Sequence, residues 1–108
     1  MALEDHLRGG EDIKFKSNAK VGYGDSKYVV YITNDRFILY ANRGLVRSKD
    51  DIITWNLDDI ARTDYEESGL IRKKGKLQLE TRDNTKIELS SSSDEMKTIY
   101  QNCMRFIK

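Results

Sequence analysis

Apolar residues recur along this chain with two different periods, and the change falls at Ser90. Upstream the period is near two. Residues 28–33 (YVVYIT) and 37–40 (FILY) are rich in aromatic and β-branched side chains. Only Asn34, Asp35 and Arg36 stand between them, which predicts a β-hairpin closed by an Asn-Asp turn. Ile53, Trp55 and Leu57 alternate with Thr54 and Asn56, the pattern of a half-buried strand, and a further strand runs from Ile60 to about Glu66. Leu77 and Leu79 alternate with Gln78 and Glu80, and Ile87 and Leu89 flank Glu88. With the turn formers Arg82, Asp83 and Asn84 between them, they predict a second hairpin. Ile13 and Phe15 mark a first strand, resumed around 21–23, for about seven strands in all.

Downstream the period lengthens. Met96, Ile99, Tyr100, Cys103, Phe106 and Ile107 recur at three- and four-residue spacing, one apolar face of a helix over about 93–107. Ser92 with Glu95 three residues on predicts a capping box, in which the hydroxyl accepts an orphan backbone N–H and the carboxylate returns to the cap; such a cap contributes about 1 kcal/mol. Asp94 and Glu95 at the start and Arg105 and Lys108 at the end suit the helix dipole. A short helical turn would place Leu3 and Leu7 on one face before Gly9-Gly10. The predicted fold class is α+β, a strongly bent antiparallel sheet or partly open barrel plugged by one C-terminal helix. With no Pro in the chain, its turns fall to Gly, Asn, Asp and Ser, and 17–26 and 42–50 are the longest predicted loops and the first places to look for function.

Composition narrows the class. A chain of 108 residues gives one domain, 1–108, and its 34% charged content, against about 25% in ordinary domains, gives a heavily solvated surface. No run approaches the roughly 18 apolar residues of a membrane span, and the acidic start at Glu4 and Asp5 does not read as a signal peptide, so a cytoplasmic protein is expected. Cys103, alone and on the apolar helix stripe, reads as core, and His6, in a polar segment, as solvent-exposed. There is no HExxH, Walker, GxSxG or GxGxxG string, so neither an enzyme nor a cofactor site is expected. Gly22-Tyr23-Gly24-Asp25 reads as a loop end, since no helix follows to complete a phosphate cradle. The acid pairs Asp50-Asp51, Asp58-Asp59 and Glu66-Glu67 would point to opposite faces of a strand, so they read as solvated edges and not as a metal site. Trp55, in phase with Ile53 and Leu57, reads as core.

Four strings carry a family resemblance: GGEDIKF at 9–15, YITNDRFILY at 31–40, WNLDDIARTD at 55–64 and GKLQLETRDNTKIEL at 75–89. With the C-terminal helix they cover nearly the whole chain, and they resemble the pleckstrin-homology-like domains, especially the bacterial PH-like and GRAM-type branch. The resemblance implies a seven-stranded bent sheet capped by the helix, and a non-enzymatic binding role in which self-association is plausible. The chain departs from the eukaryotic pattern in having no Trp in that helix, where Tyr100, Cys103 and Phe106 would pack. Its first hairpin also lacks a Lys-rich signature, offering only Lys16, Lys20 and Lys27.

Charge is the remaining signal. The formal net charge is +1, from 19 Lys plus Arg and 18 Asp plus Glu, which excludes a uniformly basic nucleic-acid coat. No stacking signature for RNA is present either, and nucleic acid is not an expected partner. By segment, residues 1–13 carry −3, 14–49 carry +6, 50–67 carry −6 and 68–86 carry +4. Lys16, Lys20, Lys27, Arg43, Arg47 and Lys49 are the candidate anion- or headgroup-binding residues, expected at one open end of the sheet together with the 82–86 turn. Two readings follow. One is a module that binds a protein partner or its own copies through unlike charge blocks. The other is peripheral binding of anionic phospholipid headgroups through the basic loop end.

Overall fold

A computed structural model describes residues 3–43, 49–71 and 73–107. In chain order they form a 3-10 turn (Leu3–His6), β1 (Ile13–Lys16), β2 (Val21–Tyr23), β3 (Ser26–Thr33), β4 (Arg36–Arg43), β5 (Lys49–Asn56), a second 3-10 turn (Leu57–Asp59), β6 (Ile60–Ser68), β7 (Lys74–Thr81), β8 (Lys86–Ser92) and α1 (Ser93–Phe106). The hydrogen-bonded order is β5-β4-β3-β2-β8-β7-β6, with β1 also on β3, and every pairing is antiparallel. β3 serves both halves: residues 31–33 pair with β1 and residues 26–28 with β2. The sheet bends about this strand, placing β1, β3, β4 and β5 on one side and β2, β8, β7 and β6 on the other.

The expected seven strands become eight because the first is interrupted, and Ser17 is the reason. Its N–H donates to the Val30 carbonyl at 2.8 Å, its hydroxyl accepts from the Val30 N–H at 3.0 Å, and the same hydroxyl donates to the Ala19 carbonyl at 2.8 Å. A side chain thus stands in for a rung of the ladder and turns the backbone out. The next two amides, Asn18 and Ala19, donate to Glu95 Oε1 at 2.8 and 3.1 Å. The stretch 17–26, expected as a long loop, therefore contains β2 and a two-residue hairpin turn, with Gly24 at φ 59 in the first central position as a type II′ turn requires. The capping box is corrected in the same place. Ser92 Oγ accepts from Glu95 N at 3.4 Å, but the Glu95 carboxylate reaches across to 18–19 instead of back to its own cap.

The core lies between the two halves of the sheet and under α1. Ile32, Phe37 and Leu39 face Leu77, Leu79, Ile87 and Leu89, and Met96, Ile99 and Cys103 plug the assembly from the helix. Burial pushes the Cys103 thiol up to about 12. A Cβ at Gly75 would lie 2.6 Å from Met96 Cβ, so the helix rests directly on the backbone of β7.

A second, smaller cluster covers the outside of the β3–β4 hairpin. Leu3 and Leu7 pack over Tyr31, Ile38, Val29, Tyr40, Ile13 and Ile52, which makes the expected N-terminal helical turn a strap across the sheet. Glu11 holds it down. Its carboxylate accepts from Arg36 Nη2 at 2.7 Å and Arg36 Nε at 2.9 Å, and from the Thr33 hydroxyl at 2.6 Å. Asn34 completes the clamp, accepting from Asp12 N at 2.8 Å and donating to the Gly10 carbonyl at 3.3 Å. The Glu11 side chain is fully buried and Arg36 9% exposed, and the Arg36 hydrogen bonds hold the Glu11 carboxyl at about 2 against the upward pull of burial. His6, expected in solvent, is half-buried, with Nε2 2.9 Å from Asp50 Oδ2.

Candidate anion-binding groove

The strict alternation of β7 and β8 sends Leu77, Leu79, Ile87 and Leu89 inward and leaves Lys74, Lys76, Ser90 and Ser92 outside. Register places these residues in rows. Lys27 is opposite Gly22, Gly22 opposite Ser90, and Ser90 opposite Lys76; in the next row Ser92 is opposite Lys74. Lysines thus flank a strip of small residues, with Lys27 and Lys76 three strand spacings, roughly 14 Å, apart. The strip is the floor of a groove of about 380 Å³ lined by Lys20, Gly22, Lys27, Lys73, Lys74 and Ser90 to Ser92. It continues past Gly22 and Gly24 toward Lys76 and Glu88. Gly22 keeps the floor low, since a Cβ there would sit 3.3 Å from Ser90 Oγ.

Local bonds fix the rim. Ser93 N donates to the Lys73 carbonyl at 3.2 Å and Ser91 Oγ donates to the Lys20 carbonyl at 3.4 Å, so both rim backbones are tied to the segment that starts α1. Lys76 is paired with Glu88 at 3.3 Å. Lys20, Lys27, Lys73 and Lys74 are exposed, and among the described residues none of them makes an ion pair. Lys73 acts on Glu67, whose carboxyl is held low first by the Tyr65 hydroxyl and then by Lys97, with a smaller contribution from Lys73. Burial, with Glu67 alongside, pushes the Tyr65 hydroxyl up to about 12.

The six basic residues expected to converge do not share one location. Lys20 and Lys27 meet in the groove, joined by Lys73 and Lys74 from the β6–β7 hairpin, which the charge count had not placed beside them. Lys16 lies on the strapped side, its Nζ 5.8 Å from the centre of the Tyr31 ring. Arg43 and Lys49 are register partners where β4 ends and β5 begins, at the end of the sheet where β3 starts, and Arg47 lies outside the described residues. The 82–85 turn is elsewhere: Arg82 Nε donates to the Asp58 carbonyl at 2.6 Å, beside a cavity of about 310 Å³ that Trp55, Asp59 and Asp83 also line. Trp55 is half-buried against Phe37 and Tyr23, with ring centres 6.3 and 6.0 Å away.

Much of the acidic block is bonded within the chain. Asp50 Oδ1 accepts from the Tyr40 hydroxyl at 3.0 Å and from Asn42 Nδ2 at 2.6 Å, while Asp51, on the opposite face, accepts from the Tyr28 hydroxyl at 3.1 Å. Asp64 pairs with Arg62 at 3.0 Å and Glu67 with Lys97 at 3.4 Å. Among the described residues no three of His, Cys, Asp or Glu gather as metal ligands.

No family model and no curated protein matches the sequence. The fold, however, has solved counterparts. A crystal structure of a pleckstrin homology domain from Shewanella amazonensis SB2B is similar over 97% of this chain and 91% of its own, with a TM-score of 0.68 at 16% identity. The C-terminal domain of an unknown protein from Leishmania infantum is similar over 98% of this chain and 92% of its own, with a TM-score of 0.65 at 14% identity. At such identities the likeness concerns the path of the backbone: a bent antiparallel sheet closed by a C-terminal helix, which is the pleckstrin-homology-like fold.

Proposed function

We propose that the chain is a non-enzymatic binding module that takes anionic phospholipid headgroups in the groove between Lys20, Lys27, Lys73 and Lys74. The observation that carries this reading is four lysines, without ion pairs among the described residues, around a floor of glycine and serine. Phosphate oxygens accept hydrogen bonds from ammonium and hydroxyl groups alike, and Ser90 adds a hydroxyl donor beside the charges. Each lysine held near an anionic surface contributes about 1 kcal/mol, so four together give useful affinity that declines with salt. Self-association through unlike charge blocks finds less support, because Asp50, Asp51, Asp64 and Glu67 are bonded inside the chain.

Sedimentation with phosphatidylcholine vesicles, with and without phosphatidylserine, tests the reading. Binding is expected only to the anionic vesicles, weakening about fivefold for each Lys→Gln substitution in the groove. Equal, negligible sedimentation with both kinds of vesicle would remove it. Light scattering at two salt concentrations addresses the other reading, for which a salt-sensitive dimer would be the supporting result.

A further inference from the structure

Two large apolar side chains lie wholly outside the fold. Leu70 is 101% and Ile71 96% exposed, at the tip of the β6–β7 hairpin, beyond the last rung between Ser68 and Lys74. A single exposed leucine is ordinary, but two adjacent ones at full exposure on a hairpin tip form an apolar point with no cover from the described chain. The base of the hairpin is held firmly. Ser93 N reaches the Lys73 carbonyl, Lys97 reaches Glu67, and the Tyr65 hydroxyl lies 3.1 Å from the Ser93 carbonyl. The tip is therefore carried on a fixed support. Two residues of chain place Ile71 within roughly 7 Å of Lys73, one of the lysines of the groove.

The required partner must offer hydrocarbon to Leu70 and Ile71 and negative charge first to Lys73 and Lys74 beside them and then, across the groove, to Lys20 and Lys27. An anionic bilayer has that layering, with phosphates above acyl chains. A protein partner gripping the tip alone would gain only two side chains of apolar contact, far below the ~800 Å² per partner of a stable interface. We infer that Leu70 and Ile71 insert into an anionic bilayer while the neighbouring lysines hold its headgroups. The inference rests on the headgroup reading for its charge component and adds insertion as a second, independent attachment, the combination that makes peripheral anchoring stable.

The test uses the whole chain carrying Ile71→Cys labelled with an environment-sensitive fluorophore. Cys103 is fully buried with its thiol pushed up, so labelling is confined to the tip. With phosphatidylcholine/phosphatidylserine vesicles the label is expected to shift to the blue and to be quenched by acyl-chain nitroxides. Leu70→Ser with Ile71→Ser is expected to weaken partitioning at least about tenfold while leaving thermal unfolding unchanged. Sedimentation with a label that stays in water overturns insertion and leaves the groove reading standing. Absence of sedimentation with any vesicle overturns both. A blue shift that grows with protein concentration in vesicle-free buffer assigns the tip to a second copy and also overturns the inference.

Discussion

The β3–β4 and β7–β8 hairpins share one core but treat their outer faces in opposite ways. In β3 and β4 the inward residues Val30, Ile32, Phe37 and Leu39 alternate with outward residues that are also apolar, Val29, Tyr31, Ile38 and Tyr40, and Leu3 and Leu7 close over them. In β7 and β8 the outward residues are Lys74, Lys76, Gln78, Glu88 and Ser90, and no segment of the described chain lies over them. A continuous apolar strand is stable only when both faces are covered, whereas an alternating one can leave a face to water. The strapped face therefore contributes to stability, and the open face is available to a ligand. Substitutions on the first should cost folding free energy. Substitutions on the second should cost binding.

The largest expected effect lies in the clamp. Glu11→Ala leaves the Arg36 guanidinium buried without its partner and should destabilise the fold by about 3–5 kcal/mol, read as a lower denaturant midpoint. The same pair gives a pH signature. Because the Glu11 carboxyl titrates at about 2 in the folded chain and at 4.5 as a free group, its stabilisation is complete above about pH 5.5. It is lost as pH falls from there toward 2, a contribution of about 3 kcal/mol that Glu11→Ala should abolish from the pH profile. Next, Leu3→Ala removes the buried anchor of the strap and should cost about 2 kcal/mol, with hydrogen exchange in β4 accelerated as the strap loosens. At the small end, Lys27→Ala or Lys74→Ala on the open face should change stability by no more than about 0.5 kcal/mol, since both side chains are exposed and neither makes an ion pair among the described residues. A destabilisation of 2 kcal/mol at either lysine would erase the contrast between the faces.

Local signals made most of the frame legible in the sequence. The two hairpins and α1 follow from period-two and helical spacing, and Leu3 with Leu7 pointed to the N-terminal turn. What escaped was set by distant partners. Glu11 and Arg36 lie 25 residues apart, in the two strings GGEDIKF and YITNDRFILY that carried the resemblance, and nothing in either string says they meet. Ser17 reads as a loop residue until its hydroxyl is seen on the Val30 amide. The groove was half visible. Lys20 and Lys27 stood in the basic block, but Lys73 and Lys74 join them only through the register that sets Lys74 opposite Ser92. Leu70 and Ile71, too short a run to define an element, gain meaning only from their full exposure.

The joint between β2 and β8 consists of one register pair, Gly22 with Ser90, whereas β4 and β5 share eight. It is the thinnest of the strand pairings in this open sheet, and the groove lies across it, with Lys20 and Lys27 on one bank and Lys73 and Lys74 on the other. A ligand that spans the banks would act as a suture. Occupancy should then slow amide exchange at Gly22 and Ser90 and raise the melting temperature, so that partner recognition and mechanical closure of the fold become a single event.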